Sequence, residues 1–88
     1  MDILLLELKE EFGITWNYED SKLERYIDQG IAYLNRVAST MLEFEEPSNK
    51  ELLFDYCRYA RSQKIHFFEV DNISRLLELS IRSNVAYE

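Results

Sequence analysis

Residues 21–42 read SKLERYIDQGIAYLNRVASTML, and they decide the fold. Apolar side chains fall at Leu23, Tyr26, Ile27, Ile31, Leu34, Val37, Ala38 and Met41. That three-and-four spacing puts one stripe on one face of an α-helix. Lys22, Glu24, Arg25, Asp28, Gln29, Asn35, Arg36 and Ser39 fall largely outside it, so the segment reads as amphipathic and half buried. Asp20 or Ser21 can cap its start by accepting a hydrogen bond from a backbone N–H of the first turn. A helix of this length spans roughly 30 Å, about the width of a small domain. Gly30 in its middle costs roughly 1 kcal/mol against alanine. Close approach of a neighbouring helix is the expected benefit.

The flanking segments are shorter and pack against this helix. Residues 2–12, DILLLELKEEF, form a first helix, with Asp2 near the positive end of its dipole. Leu4, Leu5, Leu8 and Phe12 share a face, which Ile3 and Leu6 widen. Gly13 then closes the helix, because glycine adopts the left-handed conformation at low cost. In the connection ITWNYED (14–20), Ile14 and Trp16 are expected to fold back on the core, Trp16 as its lid. After the long helix, EFEEPS (43–48) breaks the periodicity, and Pro47 forces the chain out of helix just before it. Ser48-Asn49-Lys50-Glu51 has the S-x-x-E form of a capping box. A third helix is therefore expected from Asn49, with Leu52, Leu53, Tyr56, Tyr59 and Ala60 facing the core and Phe54 and Cys57 widening the apolar face. A helix this apolar on two sides is either central in the domain or in contact with another subunit. IHFFEV (65–70) can continue that helix or form a short extended piece. Asp71 or Asn72 can cap a last helix with Ile73, Leu76, Leu77 and Ser80 or Ile81 inward. The tail SNVAYE reads either as a mobile end or as an arm that orders on a partner.

The expected fold is all-α: one domain over residues 1–88, a small bundle of about four helices at about 2–12, 20–42, 49–65 and 71–82. Eighty-eight residues are too few for two domains. Folding at this size removes only about 60–65% of the unfolded chain's surface from water. The 47% hydrophobic content, with six Tyr and five Phe, argues against disorder. Part of that aromatic surface suits a partner. Ten Lys and Arg against seventeen Asp and Glu give a formal charge of −7. That argues against a conventional nucleic-acid binder, which needs a basic patch to neutralise phosphates, but does not exclude a protein that lets DNA pass without gripping it. MDILLLELKEEF is not expected to be a signal peptide, and no stretch approaches the ~18 apolar residues of a membrane span.

The sequence offers little for catalysis. His66 is the only histidine and Cys57 the only cysteine, so neither a Cys-based metal cluster nor an internal disulfide can form. Between Ile65 and Phe67, His66 reads as a partly buried polar residue, and Cys57 as an inert packing residue in a helix. No serine lies in a G-x-S-x-G elbow, and two isolated glycines make no phosphate-cradling loop. Glu10–Glu11 and Glu45–Glu46 are sequence neighbours pointing different ways, not a converging acid–base pair. The expectation is a protein that is not an enzyme and needs no cofactor.

Several elements in order suggest a family. A leucine-rich helix ends at Phe12-Gly13-Ile14; Asp20, Leu23, Tyr26 and Ile27 follow, then ELLFDYCRYA (51–60), then Phe67-Phe68-Glu69 with Leu76, Leu79 and Ile81. Together they resemble, over nearly the whole chain, the small head–tail connector (adaptor) proteins of tailed bacteriophages and prophages. The elements are apolar and aromatic patterns rather than a catalytic signature. The resemblance implies a virion structural protein, an α-helical subunit assembling as a ring, commonly twelvefold, beneath the portal vertex. Such a ring extends the DNA channel and docks the tail or a stopper protein. Its partners would be further copies of itself, the portal protein and the tail-completion or stopper protein. DNA would pass without sequence-specific binding, and no membrane is involved. The protein would sit in the virion neck, after assembly in the host bacterial cytoplasm. On this reading the candidate assembly contacts are Phe54, Phe67, Phe68, Val85 and Tyr87, with residues 84–88 as an arm reaching a neighbour or the portal. The competing class is a small acidic helical regulatory protein binding one phage or host protein. A DNA-mimic version is disfavoured because the acids alternate with Lys and Arg along the helices.

Overall fold

A computed structural model describes residues 3–85, and over that range the chain is all-helical. Helix α1 is Ile3–Phe12, α2 Asp20–Ala38 and α3 Pro47–Arg61. A 3-10 turn, Ile65–Phe67, leads into the short α4, Phe68–Asp71, and α5 is Ile73–Val85. Asp2 lies outside the described residues.

Helix α2 is the centre of the bundle: α1, α3 and α5 all pack on it. Its buried face runs Leu23, Ile27, Gly30, Leu34 and Ala38, with Tyr26, Ile31, Tyr33 and Val37 half-buried beside it. Gly30 fulfils the expected role. A Cβ there would lie 2.6 Å from Leu53 Cδ1 and 2.9 Å from Tyr56 Cδ1, closer than carbon atoms can stand. Helix α3 therefore approaches α2 as closely as a missing side chain permits. Antiparallel to α2, it uses three sides. Leu53 and Tyr56 meet α2. Lys50, Phe54 and Arg58 face α1, and Leu52, Asp55 and Tyr59 face α4 and α5. Helices α1 and α5 thus flank α3 on opposite sides.

The long helix is shorter than its sequence suggests. It stops at Ala38, where Ser39 takes the left-handed conformation (φ 59°) and Thr40 N–H donates to Asn35 O at 3.2 Å. Asn35 Oδ1 then accepts from Leu42 N–H at 2.9 Å, folding the chain back. Met41, expected in the buried stripe, is 82% exposed. The same closure ends α1 at Gly13 (φ 70°), as expected, and α3 at Gln63 (φ 60°), with Ile14 N–H donating to Lys9 O and Lys64 N–H to Tyr59 O. Of these three left-handed residues only Gly13 is glycine. Residues with a Cβ hold that conformation at a cost of roughly 1–2 kcal/mol, part of which glycine returns as unfolded-chain entropy. Ser39→Gly is therefore expected to raise stability by about 0.5–1 kcal/mol. It would be read as a higher urea midpoint at unchanged slope; an unmoved midpoint would show that serine is not strained there.

Other local expectations are corrected. Helix α3 starts at Pro47 rather than Asn49, because proline's missing N–H costs nothing at the first helical position. No capping box forms: Ser48 Oγ donates to Glu46 Oε1 at 3.0 Å, and buried Asn49 donates to Glu43 O at 3.0 Å, pinning the preceding loop. No side-chain cap starts α2 either. Asp20 instead pairs with Lys9, whose ammonium is 2.8 Å from Asp20 Oδ1 and donates to Asn17 Oδ1 at 2.7 Å. Ile14 is buried as expected, but Trp16 is not a core lid. It is 37% exposed, stacks on Tyr18 and donates its indole N–H to Glu19 at 2.6 Å. Glu19 also accepts from Arg61 Nε and Nη2 at 3.2 and 3.3 Å, and these bonds, more than the indole's, hold its carboxyl below the usual carboxylate range. They tie the start of α2 to the end of α3.

In α5 the inward residues are Leu76 and Leu79, preceded by buried Asn72. Ile73 and Leu77, expected inward, are 46% and 55% exposed; of the alternatives Ser80 and Ile81, Ser80 is half-buried and Ile81 is 62% exposed. Asn72 explains the shift: a polar residue opens the inward face, held there by donating Nδ2 to Phe68 O and accepting from Arg75, both at 3.0 Å.

Candidate functional site

Of the residues expected to make assembly contacts, Phe54, Phe67 and Phe68 do not form one surface. Phe68 is 1% exposed and sits edge-on to Tyr33, Tyr56 and Tyr59, with centroids 5.9, 5.4 and 5.5 Å away. It anchors α4 against α2 and α3. Phe54, 8% exposed, belongs to the core beneath the α1–α3 groove. Both are therefore core residues of the subunit rather than contacts held in reserve. Phe67, half exposed on the 3-10 turn against the His66 ring, does offer surface. Val85 ends α5, but its side chain and the whole of Tyr87 lie outside the described residues.

His66 is exposed rather than partly buried. Cys57 is fully buried, and burial pushes its thiol up to about 12, which suppresses the thiolate a nucleophile needs. Among the described residues no group of His, Cys, Asp or Glu is placed to hold a metal ion. No described helix is long and apolar enough to cross a membrane.

Two surface features remain. The first is an open groove of about 740 Å³ between α1 and α3, where Glu7, Glu10, Glu11, Glu51 and Asp55 outnumber Lys50 and Arg58. Lys50 bonds Glu7 at 2.6 Å, and Arg58 bridges to Asp55 while its guanidinium lies 5.3 Å from the centre of the Phe12 ring. The bases are thus engaged within the subunit, and the groove presents acid outward. The second is a pair of apolar edges. Ile3 and Leu6 on α1 are 68% and 50% exposed. On the far side of α3 stands the Ile73, Leu77 and Ile81 stripe of α5; Val70 in α4 is also exposed, at 71%. Sequence reasoning assigned Ile3, Leu6, Ile73 and Leu77 to core faces, offered Ile81 there as an alternative to Ser80, and left Val70 in a segment of ambiguous period. The available signal was that each helix carries more apolar residues than one buried stripe can hold.

Comparison of the chain with protein-family models, curated proteins and solved structures gives no match in any of the three. The functional reading therefore stands on the residues themselves.

Proposed function

We propose that the chain is a structural subunit of the neck of a tailed bacteriophage, a head–tail connector that assembles as a ring beneath the portal. The observation that carries this reading is the pair of unlike apolar edges, on α1 and on α5, on opposite sides of α3. A cyclic ring needs a heterologous contact, in which one patch meets a different patch on the next copy. A subunit of this size has little reason to leave both edges uncovered if it works alone. The acid-lined groove supports the same reading, since negative charge facing a channel repels DNA phosphates and lets the genome slide. No residue is assigned a catalytic role, and residues 84–88 serve in this proposal as the arm toward the portal.

Electron microscopy of the purified protein mixed with portal rings from the same genome tests it. Added density beneath the portal with rotational symmetry is the expected result. A chain ending at Ser83, which lacks only the last two residues of α5, should give weaker occupancy with the bundle still folded; full occupancy would remove the arm from the proposal. Bare portals at high protein excess would overturn the connector reading in favour of the small acidic regulator.

A further inference from the structure

We propose that copies of this chain join head to tail, the turn after α3 of one copy docking in the pocket beside the first turn of α1 in the next. The two surfaces lie at opposite ends of α3, a separation of roughly 22 Å along that helix. Helix α1 runs parallel to α3, since Lys50 bonds Glu7 near their starts and Arg58 approaches Glu11 near their ends. The pocket therefore sits where both helices begin. Ile3, Leu4 and Phe44 give it apolar walls around an open volume of about 500 Å³. Glu7, Glu43 and Glu45 line it too, and Lys50 is held there by Glu7. Glu43 and Glu45 are exposed, and neither carboxylate has an ion-pair partner among the described residues.

The other end of α3 carries the complement. Residues 61–67, RSQKIHF, are all exposed. Ile65 and Phe67 are 39% and 50% exposed, and the Phe67 and His66 ring centroids stand 4.2 Å apart. Two apolar side chains are thus interleaved with Lys64 and His66. From Tyr56 to Phe68 the sequence contains no acid, yet it holds Arg58, Arg61, Lys64 and the only histidine. The nearest acids are turned to the subunit's own body. Glu19 accepts from Arg61, Asp71 accepts from Tyr59, and Glu69 lies toward Tyr33 of α2. Lys64 has no ion-pair partner among the described residues.

Charge selects the occupant and its orientation. A spare cation beside exposed apolar residues at one end matches spare carboxylates around an apolar pocket at the other. Turn against turn would set Lys64 against its own copy, and pocket against pocket would do the same with Glu43 and Glu45. Both are like-charge contacts, which a wrong pairing pays for in free energy. Only the unlike pairing is complementary, and a heterologous contact of that kind passes from copy to copy. Its use in closing a ring rests on the connector reading; the contact itself does not.

Sedimentation of the full chain alone, from low to high micromolar concentration, tests the contact without involving the portal. The expected result is an average mass that climbs past the dimer as concentration rises. Lys64→Glu should stay monomeric throughout, and so should a chain carrying Glu43→Lys with Glu45→Lys. Reversing those two acids lowers the net negative charge, so general repulsion alone would strengthen association; a fall in mass reads the local contact. All three side chains are exposed, and far-UV circular dichroism should not change. Mixed in equal amounts, the two variants should regain the wild-type mass. The reversed turn of one then meets the reversed pocket of the other, and the remaining two surfaces are unaltered. A wild-type monomer at every concentration, a dimer that grows no further, or a mixture that stays monomeric would each overturn the proposal. Portals decorated by a chain that is monomeric alone would overturn this contact and leave the connector reading standing. Head-to-tail growth beside bare portals would do the reverse.

Discussion

Phe68→Ala is expected to remove about 3–5 kcal/mol of folding stability, out of the roughly 5–15 kcal/mol a domain of this kind possesses. Two contributions add. The ring is almost wholly buried, so its deletion forfeits transfer free energy and leaves a cavity. It also makes edge-to-face contacts with Tyr33, Tyr56 and Tyr59, each worth about 0.5–1.5 kcal/mol beyond area burial. Phe68 is the only buried residue of α4, and none is buried in the preceding 3-10 turn. The loss should therefore loosen the whole connection between α3 and α5. Urea unfolding followed by circular dichroism would show the midpoint fall by about a fifth or more. Phe67→Ala, one residue earlier and half exposed, should cost under 1 kcal/mol. Equal effects from the two would mean that the aromatic cluster does not hold the bundle together.

Gly30→Val is expected to destabilise by about 2–3 kcal/mol. In an isolated helix the substitution would be favourable, since glycine is among the poorest helix formers. In this helix the first added carbon already lies 2.6 Å from Leu53 Cδ1, and valine adds two more. Leu53 has no exposed surface into which to retreat, and the Tyr56 ring cannot swing without disturbing Phe68. Helices α2 and α3 must separate. The sign of the effect is the test, because a gain in stability would mean that the close approach can relax freely.

These two residues mark the difference between what the sequence disclosed and what it concealed. Gly30 was legible because glycine at the centre of an amphipathic helix has few explanations, and the α2 stripe from Leu23 to Ala38 followed from periodicity alone. The ends of α2 and α3 were not legible. Ser39 and Gln63 close their helices in a conformation that glycine usually signals, so nothing in residues 39–42 announced the stop. In α5 two apolar faces compete. Periodicity could not choose between Leu76 with Leu79 and Ile73 with Leu77 and Ile81, since a buried Asn72 set the inward phase. The apolar edges were hidden for the same reason: composition does not divide core from surface when a helix carries both. Phe54 and Phe68 were read as contacts because aromatic residues suit interfaces and cores alike, and only packing separates the two uses.

Cys57 gives the molecule a built-in clock. The single thiol is sealed in α3 with no exposed surface, and its ionisation is suppressed in the closed state. A thiol reagent can reach it only when the surrounding helices part. Its labelling rate in native buffer therefore counts openings of the core, directly as an opening rate when modification outpaces reclosure and as an opening free energy when it does not. The chain carries this reporter without any added dye or engineered residue.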